Sequence, residues 1–168
     1  MSKYLKVGSG SAPFQEVQAN TTSSGAADAG KMVALNAAGK IDITMLPSGV
    51  GGDIRNVTAA ETISAGDLVY VNSSGEVVRA DADNSRPAHG IALTAIANAS
   101  NGDVAFGSYV AAGFSSLSPG ASYYLSTTPG SISTSIPNTS GALVQRVGVA
   151  LSSSEFYFEP SQAIIELA

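Results

Sequence analysis

The chain has 168 residues, no cysteine and a single histidine, with eight basic and thirteen acidic side chains and a net charge of −5. That length allows one ordinary domain, or a smaller domain with an appended segment, and the lack of cysteine excludes a disulfide framework, a thiolate zinc site and a cysteine nucleophile. Only 12% of residues are charged and 7% aromatic, while small alanines inflate the 44% apolar fraction, so the core must be thin.

Residues 1–55 hold five basic and four acidic side chains, whereas 56–168 hold three basic and nine acidic ones. An acidic body disfavours nucleic acid as a partner, because neutralising phosphates needs clustered Lys and Arg. No apolar run approaches the roughly 20 residues that span a bilayer, and the N-terminus lacks a signal peptide's hydrophobic block. The expectation is a soluble protein with no membrane partner.

Residues 1–53 read as an extended N-terminal arm. Gly, Ser, Ala and Thr dominate there, with larger anchors at Tyr4, Leu5, Phe14, Val17, Val33, Leu35, Ile41, Ile43, Met45 and Leu46. Such a stretch buries too little apolar surface to offset an ordering entropy of about 1–2 kcal/mol per backbone residue. It is either a flexible tail or a segment ordered by other chains, and its strand-like alternation favours the second. Tyr4, Leu5, Phe14, Val33, Leu35, Ile41, Ile43, Met45 and Leu46 are therefore the candidate interface residues. Gly49-Val50-Gly51-Gly52 reads as a hinge before a compact β-domain over 54–168.

An internal repeat runs through the chain. Ala29 to Ile41 aligns without a gap on Ala65 to Val77, at an offset of 36 residues, and a looser copy runs from Ser118 to Ile132. In each copy a Gly opens a short alternating run, and a turn closes it. The first two copies close on Asn-x-x-Gly, which predicts a type I turn with a glycine in the left-handed region and a bulged hairpin. Return strands are expected from Ile41, Val77 and Ile132. The last two copies both continue to Gly-aliphatic-Ala-Leu, at Gly90 to Leu93 and Gly148 to Leu151. Further strands are expected over Asp103 to Val110, Leu143 to Leu151, Glu155 to Phe158 and Ile164 to Leu167, with a brief helical turn over Ala95 to Ala99. The fold class is all-β: a small antiparallel barrel or sandwich body of two related modules, preceded by the hairpin-containing arm.

Residue types that carry chemistry are sparse. His89 is the histidine any Ser-His-Asp arrangement would need, but no Gly-x-Ser-x-Gly elbow accompanies it. Asp81-Ala82-Asp83-Asn84 opens like a calcium loop, yet Arg86 and Ala92 stand where the loop needs its Gly and bidentate Glu. Glu155 and Glu159 have a spacing that a strand places on one face, as paired glycosidase carboxylates would require, with no further group in support. Tyr70, Tyr109, Tyr123, Tyr124 and Tyr157 offer either a sugar-stacking platform or, more simply, core and subunit interface. No enzyme activity, cofactor or metal is expected.

Three segments carry a resemblance to a known family. Ala27 to Asp42, followed by Met45-Leu46-Pro47, resembles a segment recurrent in virion proteins of tailed bacteriophages. Ile63 to Ala112 is similar to the small β-domain of phage capsid cement, or decoration, proteins, through its Gly66-Asp67-Leu68-Val69 strand, its turn glycine, Gly90 to Leu93 and Asn101 to Phe106. Tyr123 to Ser126, Gln145 to Leu151 and Ile164 to Leu167 also look like phage structural proteins. The resemblance implies a homotrimer on the outer surface of an icosahedral head, clamping adjacent major capsid protein subunits, without catalytic residues. Similar segments occur in head- and tail-fibre proteins, so a fibre module binding a receptor or carbohydrate is the alternative.

Overall fold

The computed structural model describes residues 3–7, 14–37, 39–42, 45–46 and 53–168. The hinge glycines, Ile43 and Pro47 lie outside the described residues. The chain divides into two compact units, 1–50 and 51–168.

In the first unit, β1 (Lys3–Val7) and β2 (Phe14–Gln18) form an antiparallel hairpin in the register Tyr4 with Val17 and Val7 with Phe14. A 3₁₀ turn, Gly25–Asp28, follows. It is fastened by the Asp28 carboxylate, which accepts from the Ser24 N–H at 2.6 Å and pairs with Lys31 at 2.8 Å. Beyond it lies the first repeat copy, with its turn formed as expected: Gly39 N–H donates to the Asn36 carbonyl at 2.9 Å and Asn36 N–H to the Lys40 carbonyl at 2.8 Å. Among the described residues the flanking strands are not formed. Val33 makes only one parallel bridge, to Asn20, and Ile41 begins no strand. None of the described residues of this unit is buried.

The second unit contains two five-stranded antiparallel sheets. The first comprises β3 (Asp53–Thr58), β4 (Leu68–Val71), β5 (Val77–Arg79), β6 (Gly90–Ala92) and β7 (Asn101–Phe106); the second comprises β8 (Tyr109–Ala112), β9 (Ser122–Leu125), β10 (Ile132–Ser133), β12 (Arg146–Ala150) and β13 (Glu155–Phe158). Spatial order in the first is β3-β7-β6-β4-β5, and in the second β8-β13-β12-β9-β10. Each is its own first, fifth, fourth, second and third strand, so the two modules share one topology. A short ladder of β11 (Leu143–Val144) with β14 (Ile165–Glu166) is added to the second module.

Period-two alternation explains the core. Leu68, Ile91 and Ala105 point into a cluster shared with Tyr123, Leu125, Val147, Phe156 and Phe158 of the other sheet. Their neighbours Val69, Ala92 and Val104 face the opposite side, where Ala59, Ile63 and Ile96 cover them in a second cluster. Backbone bonds tie the modules at their hairpins: Leu68 N–H to the Gly130 carbonyl and Gly130 N–H to that of Ala80, each 2.8 Å. The architecture is a two-sheet sandwich, and no sheet closes into a barrel.

Three expected elements are corrected. Asp103 to Val110 is two strands in different sheets, because the chain bends at Gly107, whose φ is 103°. Leu143 to Leu151 is likewise broken at Gln145, whose buried side chain bonds the Ala88 N–H at 2.7 Å and the Ala88 carbonyl at 3.1 Å. Ala95 to Ala99 is no helix, since Ile96 is drawn into an antiparallel bridge with Ile63.

Candidate assembly interface

The hairpin of β1 and β2 has two different faces. Leu5, Val7 and Phe14 lie on one, all exposed, beside an ion pair of Lys3 with Glu16. Tyr4 and Val17 lie half-buried on the other, and the Tyr4 hydroxyl accepts from the Met32 N–H at 3.4 Å. Further along, Met32, Val33, Leu35, Ile41 and Leu46 are exposed, and Met45 is half-buried. Leu5 and Phe14 are thus gathered on one face. Tyr4 stands on the opposite face, and Ile43 lies outside the described residues. Sequence reasoning passed over Val7 and Met32. Period-two spacing from Leu5 points to the first, and the 36-residue offset from Leu68 to the second.

Electrostatics in this unit centre on Asp28. The hydrogen bond from Lys31, with those from the Ser24 N–H and from Asn20, holds its carboxyl down at about 2. The 3₁₀ turn is therefore fastened at any neutral pH.

In the second unit, the residues weighed for chemistry hold structural positions. His89 has an exposed side and a covered one, where its Nδ1 accepts from the Val71 N–H at 3.1 Å and its ring tilts against Tyr70 at 4.9 Å. Partial burial lowers its pKa below the ordinary 6.5. Asp81 is buried, and its carboxylate closes its own turn on the Asp83 N–H and the Asn84 amide. Glu159 pairs with Arg146 at 3.7 Å, and Glu155 starts β13 exposed. No group of three or more metal-ligating side chains occurs among the described residues.

The five tyrosines do not form one platform. Tyr123 is buried with its hydroxyl accepting from the Ser118 N–H at 3.0 Å, Tyr109 packs on the core, and Tyr70 belongs to the other sheet. Tyr124 and Tyr157 alternate with core residues and stand half-exposed on the outer face of the second sheet. The first sheet's corresponding face is closed by its second cluster.

The second unit is thus a sandwich of two like modules, and the described residues of the first expose Leu5, Val7, Phe14, Met32, Val33, Leu35, Ile41 and Leu46. A family model described as phage cement protein matches residues 17–108, which run from β2 through the whole first module. The match covers more than half of the chain, and the chain belongs to the phage cement protein family. Its role is thereby structural and its place the capsid of a bacteriophage virion. No curated protein matches the chain.

Proposed function

We propose that the chain works as a homotrimer on the outer surface of the phage head, where each trimer clamps adjacent major capsid protein subunits. Family membership supports the cement role. The observation that carries assembly is the arm: it exposes Leu5, Val7, Phe14, Met32, Val33, Leu35, Ile41 and Leu46, and none of its described residues is buried. Apolar surface of that extent on a chain segment marks an interaction site, and an isolated two-stranded hairpin is marginal in water.

Residues 1–53 act as the oligomerisation and docking arm, and 54–168 as the compact body that the arm holds in place. Tyr4, Leu5, Phe14, Val33, Leu35, Ile41, Ile43, Met45 and Leu46 supply the apolar contacts. Burying them across capsomer boundaries contributes about 25 cal/mol per Å² of apolar area before association costs. Repeated over the many equivalent sites of a shell, modest contacts resist internal pressure. The function needs no cofactor and no catalytic group.

Light scattering of the purified chain, followed by titration onto shells that lack it, tests the reading. A trimer that binds saturably and raises the temperature of shell disruption is expected. A monomer at micromolar concentration, or a trimer without affinity for shells, contradicts it.

A further inference from the structure

The repeat shows what the arm lacks. In the first module β4 uses its two edges alternately. Leu68 and Asn72 bond toward the return strand, through the Ala80 N–H to the Leu68 carbonyl and the Asn72 N–H to the Glu76 carbonyl, each 2.8 Å. Val69 and Val71 bond toward β6, through the His89 N–H to the Val69 carbonyl at 2.8 Å and the Val71 N–H to His89 Nδ1 at 3.1 Å. Shifted by 36 residues, Met32, Ala34 and Asn36 should occupy the first edge, and Val33 and Leu35 the second.

They do. The Asn20 N–H bonds the Met32 carbonyl at 2.9 Å, the Ala34 N–H the Asn20 carbonyl at 2.7 Å, and the Asn36 N–H the Lys40 carbonyl at 2.8 Å, all on the first edge. On the second edge, Val33 and Leu35 have no backbone hydrogen bond among the described residues. The side chains agree. Met32, Val33 and Ile41 are 56%, 59% and 51% exposed, whereas their counterparts Leu68, Val69 and Val77 are fully buried. Among the described residues, the first unit carries the turn of a module and the outward edge before it, without the strand that β6 supplies in one module and β12 in the other.

We infer that the open edge at Val33–Leu35 is completed by an antiparallel strand from a second copy of this chain, which takes the place of β6. The inference deepens the self-assembly proposed above and rests on it. An exposed strand edge is a template for strand addition, in which main-chain bonds give affinity and alternate side chains give register. A second copy is favoured over other occupants by charge as well as by the repeat. Residues 1–50 carry four basic and three acidic side chains, while 51–168 carry four basic and ten acidic, so the arm of one copy and the body of another attract.

Hydrogen exchange on the full-length oligomer, free of shells, tests this with no variant. The amides of Val33 and Leu35 should exchange at least about a hundredfold more slowly than unprotected amides, and dilution to monomer should remove the protection. In parallel, Leu35→Pro deletes a donor that faces the open edge and spares the Ala34 bond to Asn20. It should weaken self-association at least roughly tenfold. Fast exchange at both amides in the oligomer overturns the inference, as does a Leu35→Pro chain that associates undiminished. Protection that arises only on shell binding also overturns it: the occupant is then the shell protein, and the cement reading stands. Absence of shell binding defeats the cement reading alone.

Discussion

Gly148 and Gly90 begin the Gly-aliphatic-Ala-Leu strands of the two modules, and both are held by proximity. A Cβ on Gly148 would lie 2.0 Å from the Tyr157 carbonyl oxygen and 2.7 Å from the Phe156 ring; one on Gly90 would lie 2.8 Å from the Ala105 carbonyl oxygen. Neither neighbour can retreat, since Phe156 is itself packed by Phe114 and Tyr123. Gly148→Ala should therefore lower stability by about 3 kcal/mol or more in urea unfolding; an unchanged midpoint contradicts this. His89 gives a second prediction. Its folded pKa lies below the ordinary 6.5 because part of the ring is buried, and protonating Nδ1 would remove the acceptor of the Val71 N–H. The unfolded chain then binds the proton at higher pH than the folded one. This contribution to stability is complete above about pH 6.5 and is lost as pH falls from there toward and through the folded pKa. A thermal midpoint that drops between pH 7 and 5, and drops less in His89→Asn, is the expected result; parallel curves for the two proteins contradict it.

At the scale of elements, sheet edges carry the argument. The outer edge of β5 is closed from within: the Ala60 N–H bonds the Val77 carbonyl at 2.9 Å, and the Glu61 carboxylate accepts from the Arg79 N–H at 2.6 Å and the Arg79 guanidinium at 3.4 Å. Burial pushes the Glu61 carboxyl up, but the backbone and side chain of Arg79 outweigh it and hold it below its ordinary value. Glu61→Ala frees the Arg79 end of that edge. It should cost about 1–2 kcal/mol and raise the tendency to aggregate, measured by unfolding and turbidity together; a variant equal to the parent in both contradicts the edge-closing role. Turns were the most legible feature of the sequence, because Asn-x-x-Gly encodes its hydrogen bonds within five residues. Asn36 and Asn72 close the same loop with Gly39 and Gly75 at φ 71° and 80°. Strand limits were less legible at Gly107 and Gln145, where the break comes from a change of sheet and from bonds to Ala88, far away in sequence. The hairpin of β1 and β2 and the edge strand β3 were missed, because charged and amide side chains interrupt their apolar residues and little of either face is buried.

For the whole molecule, the shared topology of the two sheets was foreshadowed by the repeat, and the choice of sandwich over barrel was not. Closure depends on whether edge strands meet, which no local pattern encodes. Interface residues were legible only as apolar anchors in a segment too poor to build a core; which of them share a face required the register of Leu5, Val7 and Phe14. All buried apolar side chains among the described residues fall between Ala59 and Phe158. Deleting residues 1–53 should therefore leave a body that unfolds cooperatively but no longer trimerises, read by calorimetry and light scattering. A truncated chain that remains trimeric, or that fails to fold, contradicts that division. The central claim, a cement that spans capsid subunits, is tested most directly by electron cryomicroscopy of the virion that carries the protein. Density for three copies at local three-fold positions on the outside of the head, bridging neighbouring capsid subunits, is the expected result; density confined to a fibre or the tail, with none on the shell, contradicts it.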